Sequence, residues 1–211
     1  MKLHSIRSEY KYAELSESSI EKSPFKQFEH WINDALNAKV NEPTAMSVAT
    51  FGTDGFPASR IVLLKDYGEN GLTFFTNYNS SKGNSLTDNP AVGLHFFWPE
   101  LERQIRISGF AEKTSAEVSD RYFYLRPVLS QIAASVSNQS EKIPSREFLQ
   151  NLFDTEKEKT AVGKIMRPKN WGGFLVKPVK FEFWQGRESR LHDRILYEKI
   201  ENDWIISRLA P

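Results

Sequence analysis

Apolar and polar positions recur along most of this chain with a clear period, and the period names the elements. Phe25, Phe28, Trp31, Ile32, Ala35 and Leu36 fall at three- and four-residue intervals behind Ser23 and Pro24. That spacing predicts a helix capped by Ser23, with Pro24 at its first position, ended by Asn41-Glu42-Pro43. Residues 44–51 read as a strand and residues 52–55 (GTDG) as a hairpin turn. Residues 59–76 then read as a long strand, a turn at residues 68–71 and a short return strand. Its apolar run Ile61-Val62-Leu63-Leu64 lies between Arg60 and Lys65, predicting a strand covered on both faces, in a barrel wall or at a subunit contact. Arg60 and Lys65 would point to opposite sides of an unbroken strand, whereas a bulge would realign them.

Residues 91–97 and 101–112 form another strand pair, in which Ile105 and Ile107 alternate with Gln104, Arg106 and Ser108, leaving one side wet or functional. From 114 to 160 the pattern is helical. Thr114 and Glu117 suggest a capping box, Tyr122 and Arg126 share a helical face before Pro127, and a second helical piece covers about 129–136. Ser145 caps a third helix with Phe148, Leu149, Leu152 and Phe153 on its stripe. Strands return at 173–176, 179–184, 191–200 and 204–209. Mostly antiparallel strands interrupted by helices predict a mainly β fold, a small barrel with peripheral helices. The expected division is an N-terminal segment, 1–22, and one domain, 23–211, with a helical insertion at about 114–160.

Composition narrows the chemistry. Fifteen Phe, seven Tyr and five Trp exceed what a core of this size obviously needs, so some should line a planar ligand or a subunit contact. The balance of 28 Lys+Arg against 27 Asp+Glu gives no support for binding nucleic acid. The absence of Cys excludes disulfides and thiolate chemistry, and four scattered His without HExxH or EF-hand spacing argue against a metal. No window approaches a membrane span and the first residues lack a signal peptide's apolar stretch, so a cytoplasmic protein is expected. Neither GxGxxG nor a P-loop is present.

Three clusters carry candidate chemistry. In RESRLHDR, Arg190, His192 and Arg194 alternate, so a strand would set them on one face toward an anion or toward acidic side chains; otherwise they are solvated surface cations. Tyr122, Arg126 and Ser130 could grip a phosphate monoester with paired guanidinium donors and two hydroxyls, or amount to an Arg cap beside a packed Tyr. Arg60 with Lys82, near a helix start, makes a third anion site. His95, inside an apolar strand, reads as a core histidine.

The same residues carry a family resemblance. RSEY at 7–10, SRIVLLK at 59–65, FFTNYNSSK at 74–82, LERQIRISG at 101–109, RYFYLRPVLSQI at 121–132, WGGF at 171–174, and FEFWQG with RLHDR up to the terminal RLAP are similar to the pyridoxamine 5'-phosphate oxidase family. The resemblance implies a homodimeric FMN enzyme with a split β-barrel and FMN sites at the subunit interface. Arg60, Ile61, Val62, Leu63, Leu64 and Lys65 would hold FMN from one subunit with Phe75, Thr76, Ser81 and Lys82, Arg60 and Lys82 lying on its phosphate. Gln104, Gln139, Ser140, Trp184 and Arg194 would complete the flavin site, some across the interface. Lys65, Tyr122, Arg126 and Ser130 would take the substrate phosphate, and Arg190, Leu191 and His192 would contact the substrate, Arg190 and His192 as the catalytic pair. Arg7, Ser8, Glu9 and Tyr10 would close as a lid.

The implied reaction oxidises pyridoxamine or pyridoxine 5'-phosphate to pyridoxal 5'-phosphate by hydride transfer to flavin N5, with O2 as acceptor giving H2O2. Another FMN or deazaflavin oxidoreductase on the same barrel is an alternative, as is a non-catalytic heme-, flavin- or pyridoxal-phosphate-binding protein. One departure from the family pattern is Ser81, where an Arg often stands, leaving one cation fewer for the FMN phosphate.

Overall fold

The computed structural model describes residues 10, 13–160 and 165–211. β1 (Ala45–Phe51) and β2 (Pro57–Leu63) form the predicted hairpin, its tight turn made possible by Gly55 at φ 86°. The long strand expected next is two strands. β2 pairs with β1, while β3 (Asp66–Gly68) pairs with β4 (Gly71–Asn77). At the joint, Leu64 N–H donates to Thr44 O at 2.8 Å and Lys65 N–H donates to Thr73 O at 2.9 Å. Successive amides therefore bond to opposite edges of the sheet, and the barrel closes there.

The strands run in the order β2-β1-β5-β6-β7-β4-β3, with β5 (Ala91–Trp98), β6 (Arg103–Lys113) and β7 (Trp171–Gln185). β8 (Asp193–Ile200) pairs with β7 and with β9 (Asp203–Arg208). β7 is one continuous strand where the sequence suggested two. Its first part pairs with β4 up to Val176, and its second with β8 from Lys180. The change of partner falls at Pro178, which has no N–H to give, opposite a register shift between Ser108 and Gly109 in β6. A Cβ at Gly109 would run into the Lys177 carbonyl, so glycine permits the bend that curls the sheet.

The inner face fills with Met46, Val48, Phe74, Leu94, Phe96, Ile105, Ile107, Phe181 and Phe183. α1 (Pro24–Asn37) begins as expected and lays its apolar face on this core, Trp31 edge-on to Phe183 at 5.2 Å and Phe28 against Phe96 at 5.3 Å. A smaller core of Phe123, Ile132, Ile165 and Trp171 lies beneath α3 (Ala116–Leu125) and α4 (Val128–Val136). Ser115, not Thr114, caps α3: its Oγ accepts from Val118 N–H, while Thr114 Oγ1 bonds to Ser119 Oγ. α3 stops at Leu125, leaving Arg126 extended before Pro127 rather than on the helical face with Tyr122. α5 (Arg146–Thr160) buries none of its residues, and its predicted stripe is open at Phe148 and Leu152. α2 (Ser81–Asp88) follows β4 directly.

The outer face of the sheet departs from the simple pattern. The run at 61–64 is covered on one side only: Val62 packs on the core and Leu64 is buried, but Ile61 is 67% exposed and Leu63 is partly bare. Phe51, Phe56, Phe97 and Phe110 are also exposed. His95 faces this side instead of the core, its Nε2 at 3.0 Å from Gln104 Oε1. The placement follows from pairing: opposite residues share a face, and His95 lies opposite Ser47 and Arg106.

Candidate active site

A cleft of about 850 Å³ opens between the barrel and the α3–α4 layer. Its cations are Arg60, Lys65, Lys82 and Arg126, and among the described residues no Asp or Glu lines it. The break after Leu63 is what turns Lys65 into the space that Arg60 already faces. Leu64, between them, is 4% exposed and belongs to the core; its part is structural.

Lys82 is buried. Its Nζ donates to Thr76 Oγ1 at 2.9 Å, to Gln139 Oε1 at 3.0 Å and to Ser80 Oγ at 3.4 Å, all neutral acceptors. Burial, reinforced by the Arg60 charge, pushes its pKa down to about 8. Arg60 Nη1 donates to Val48 O, Thr50 Oγ1 and Ala58 O, again without a carboxylate, and burial lowers its pKa too. Two cations kept in low dielectric without counter-charge make a site for an anion. Across from them the turn bearing Gln139 and Ser140 is fastened to β4 and α2. Thr76 Oγ1 donates to Gln139 Oε1 at 3.1 Å, and Ser81 N–H donates to Ser140 Oγ at 3.2 Å. Ser140 takes φ 79°, a left-handed conformation that aims the turn at the cleft.

At the other end stand Tyr122, Arg126 and Ser130, which line the same cleft as Lys65. The Tyr122 ring stacks on Phe75 at 4.0 Å and 22°, and Phe75 on Trp171 at 5.6 Å and 13°. Arg126 lies over Trp171 with its Cζ 4.7 Å from the ring centroid. Its Nη1 is buried with no hydrogen-bond partner, and burial lowers its pKa. A buried guanidinium nitrogen without a partner, on a side chain that lines the cleft, suits a site for an anionic group. Trp171 is a cleft-lining side chain that the sequence did not single out. Its only signal was an aromatic beside a Gly pair, which looks the same in any tight strand.

Arg190, Leu191 and His192 stand elsewhere. Residues 188–190 form a 3-10 turn, and the strand begins only at Asp193, so Arg190, His192 and Arg194 are not on one strand face. Ser189 and Arg190 take φ 55° and 62°, left-handed values that end any extended run. Arg187 N–H donates to His192 Nδ1 at 3.1 Å, so the neutral ring carries its proton on Nε2. Burial, then the Arg190 charge, lowers the His192 pKa. The ring lies 4.6 Å from Trp184 and 5.6 Å from Tyr10. Gln104, Trp184 and Arg194 are aligned across β6, β7 and β8 on the outer face, where Glu182 takes Arg194 Nε at 2.9 Å. Arg7, Ser8 and Glu9 lie outside the described residues.

Comparison with known proteins agrees with this geometry. Residues 32–157 match the family model described as pyridoxamine 5'-phosphate oxidase, and residues 171–211 match the pyridoxine 5'-phosphate oxidase C-terminal dimerisation region. The chain is 51% identical over 207 residues to the pyridoxine/pyridoxamine 5'-phosphate oxidase of Trichormus variabilis, covering 98% of this chain and 97% of that protein. It is 50% identical over 211 residues to that of Haemophilus ducreyi, covering 100% of both. The structure of PhzG from Burkholderia lata, in complex with tetrahydrophenazine-1-carboxylic acid, superposes with a TM-score of 0.87 at 30% identity, over 92% of this chain and 95% of that one. A pyridoxamine 5'-phosphate oxidase-related, FMN-binding protein from Nostoc punctiforme has the same fold, with a TM-score of 0.73 at 16% identity over 91% and 100% of the two chains. With its split barrel, peripheral helices and basic cleft, the chain belongs to the pyridoxamine 5'-phosphate oxidase family of FMN-dependent oxidoreductases.

Proposed function

We propose that this protein oxidises pyridoxamine and pyridoxine 5'-phosphates to pyridoxal 5'-phosphate, using FMN and O2, as a homodimer. The observation that carries the reading is a cleft lined by four cations and, among the described residues, by no carboxylate. One end suits the cofactor phosphate, through Arg60, Lys82 and the Ser81–Ser140 contact. The other suits the substrate phosphate, through Lys65, Arg126 and the hydroxyls of Tyr122 and Ser130. When bound, FMN supplies the two-electron acceptor, which O2 restores with release of H2O2.

Homodimerisation would account for the assigned residues that stand apart from the cleft. Ile61 and Leu63 line the cleft and are also bare on the outer sheet face, so a second copy docked on that face would close the cleft's mouth. Gln104, Trp184, Arg194, Arg190 and His192 would then be brought to it from the partner subunit. There Arg190 and His192 orient the substrate ring. With Nδ1 occupied by the Arg187 amide, His192 works by donating from Nε2 at neutral pH, not by taking a proton there. Tyr10, with the segment before it, would shield the ring from water as a lid.

The test is a visible spectrum of the purified protein, followed by pyridoxine 5'-phosphate under anaerobic conditions. A yellow chromophore that bleaches, and peroxide formed on readmitting air, are the expected results. A flavin that bleaches with tetrahydrophenazine-1-carboxylic acid and not with pyridoxine 5'-phosphate would overturn the substrate assignment. NADPH-dependent bleaching alone would favour a reductase, and a flavin reduced by none of these a storage protein.

Arg126→Ala should raise KM for pyridoxine 5'-phosphate by roughly 10- to 100-fold with kcat little changed, since a phosphate handle binds ground and transition states alike. Steady-state kinetics would show it, and an unaltered KM would remove Arg126 from the substrate site.

A further inference from the structure

The chain entering the fold after Tyr10 is tied to the C-terminal hairpin by charge. Leu15 is 4% exposed in the main core, and its N–H donates to Asp193 Oδ2 at 3.0 Å. Arg208, on β9, donates from Nε and Nη2 to the two oxygens of Glu17, each at 2.8 Å. The same guanidinium reaches Asp193 Oδ1 from Nη1 at 2.7 Å and Leu15 O from Nη2 at 3.0 Å. Arg187 adds a contact from Nη1 to Glu14 Oε2 at 2.8 Å, and lies 3.6 Å from Asp193 Oδ2. The network holds Glu17 at a pKa of about 2 through its bond to Arg208, and raises that of Arg208.

An isolated surface ion pair would contribute little, but this arrangement is forked, shares Asp193 among three partners and is anchored by a buried Leu. Asp193 directly follows His192, and Arg187 is the residue whose amide fixes the His192 tautomer. At the other end of the segment, the Tyr10 ring lies edge-on to Trp184 at 5.7 Å. It also fills the space above Gly186, where a Cβ would meet Tyr10 Cγ at 2.7 Å.

We infer that Arg208 is a positioning residue: it latches residues 13–17 to the strand that follows His192, and so keeps Tyr10 against the rings of His192 and Trp184. A segment ordered in advance need not be ordered when substrate arrives, so the latch acts on substrate affinity. Only the kinetic part of this inference rests on the proposed function.

The test compares flavin-loaded parent, Arg208→Ala, Arg208→Lys and Glu17→Gln proteins by amide hydrogen exchange over residues 13–17 and by kinetics with pyridoxine 5'-phosphate. Arg208→Ala should speed exchange in that segment about tenfold and raise KM about tenfold, with kcat changed far less and FMN content unchanged. Arg208→Lys keeps the charge but not the fork, and should fall between parent and Ala. Glu17→Gln, a surface change with no folding risk, should show the smaller loss in the same direction. Exchange at parental rates in Arg208→Ala would overturn the latch, and faster exchange with an unchanged KM would overturn its link to His192. A parent that does not oxidise pyridoxine 5'-phosphate would refute the proposed function, leaving the latch to be judged by exchange alone.

Discussion

Lys82→Met should weaken FMN binding by about 100-fold, the loss typical of removing one partner of a buried charged contact. It should also leave the flavin-free protein no less stable, since Lys82 is buried among neutral oxygens and an ammonium so placed is costly. Lowering its pKa from 10.5 to about 8 corresponds to roughly 3 kcal/mol against the folded state at neutral pH. For a base depressed by folding, that cost is carried in full below pH 8 and lifted as pH rises from about 8 to 10.5, so the empty fold gains stability there. Phosphate binding runs the other way, because it needs the proton. FMN affinity of the parent should therefore fall up to tenfold per pH unit above about 8, and that dependence should be blunted in Lys82→Met. Fluorescence titration of flavin-free protein from pH 7 to 9.5, beside thermal melts, measures both. A pH-independent affinity in the parent would take Lys82 off the phosphate.

Arg190→Ala is expected to cut turnover with pyridoxine 5'-phosphate by about 100-fold or more while leaving the flavin bound. Arg190 does not line the cleft, and its backbone is left-handed at φ 62°, a conformation held by the turn at 188–190 and not by its own side chain. Alanine keeps a Cβ and so leaves that strain as it was, which isolates the guanidinium. Single-turnover reduction of the bound flavin is the measurement. Lost flavin with a normal rate per remaining holoenzyme would show that Arg190 holds the cofactor instead of the substrate.

The parts legible in the sequence were those fixed by local chemistry. Ser23-Pro24 started α1, alternation in β6 separated Ile105 and Ile107 from Gln104 and Arg106, and Tyr122, Arg126 and Ser130, grouped in the sequence, line one cleft, although Arg126 is not on the helical face with Tyr122. What escaped depended on distant partners. Nothing in Leu63-Leu64-Lys65 announces a break, because it is made by Thr44 and Thr73 accepting successive amides. Pro178 looked like a strand end, but a bulge at the next residue of the same strand, where Val179 is left unpaired against β6, accommodates it. RLHDR alternates like a strand, yet left-handed Ser189 and Arg190, the residue before it and its own first residue, hold its first part in a turn. That Arg190 and His192 do not line the cleft was equally hidden, since it depends on how β8 pairs with β7 far from the helical layer.

The joint at Leu64 and Lys65 has a consequence for any relative with a longer or shorter loop. Arg60 and Lys65 are carried on one short span pinned at both margins of the sheet, so the separation of these two cations is gauged by covalent chain and cannot breathe with the helical layer. Gaining or losing one residue between them would invert the pleat and point one cation out of the cavity. Length here should therefore be held fixed even where the side chains drift.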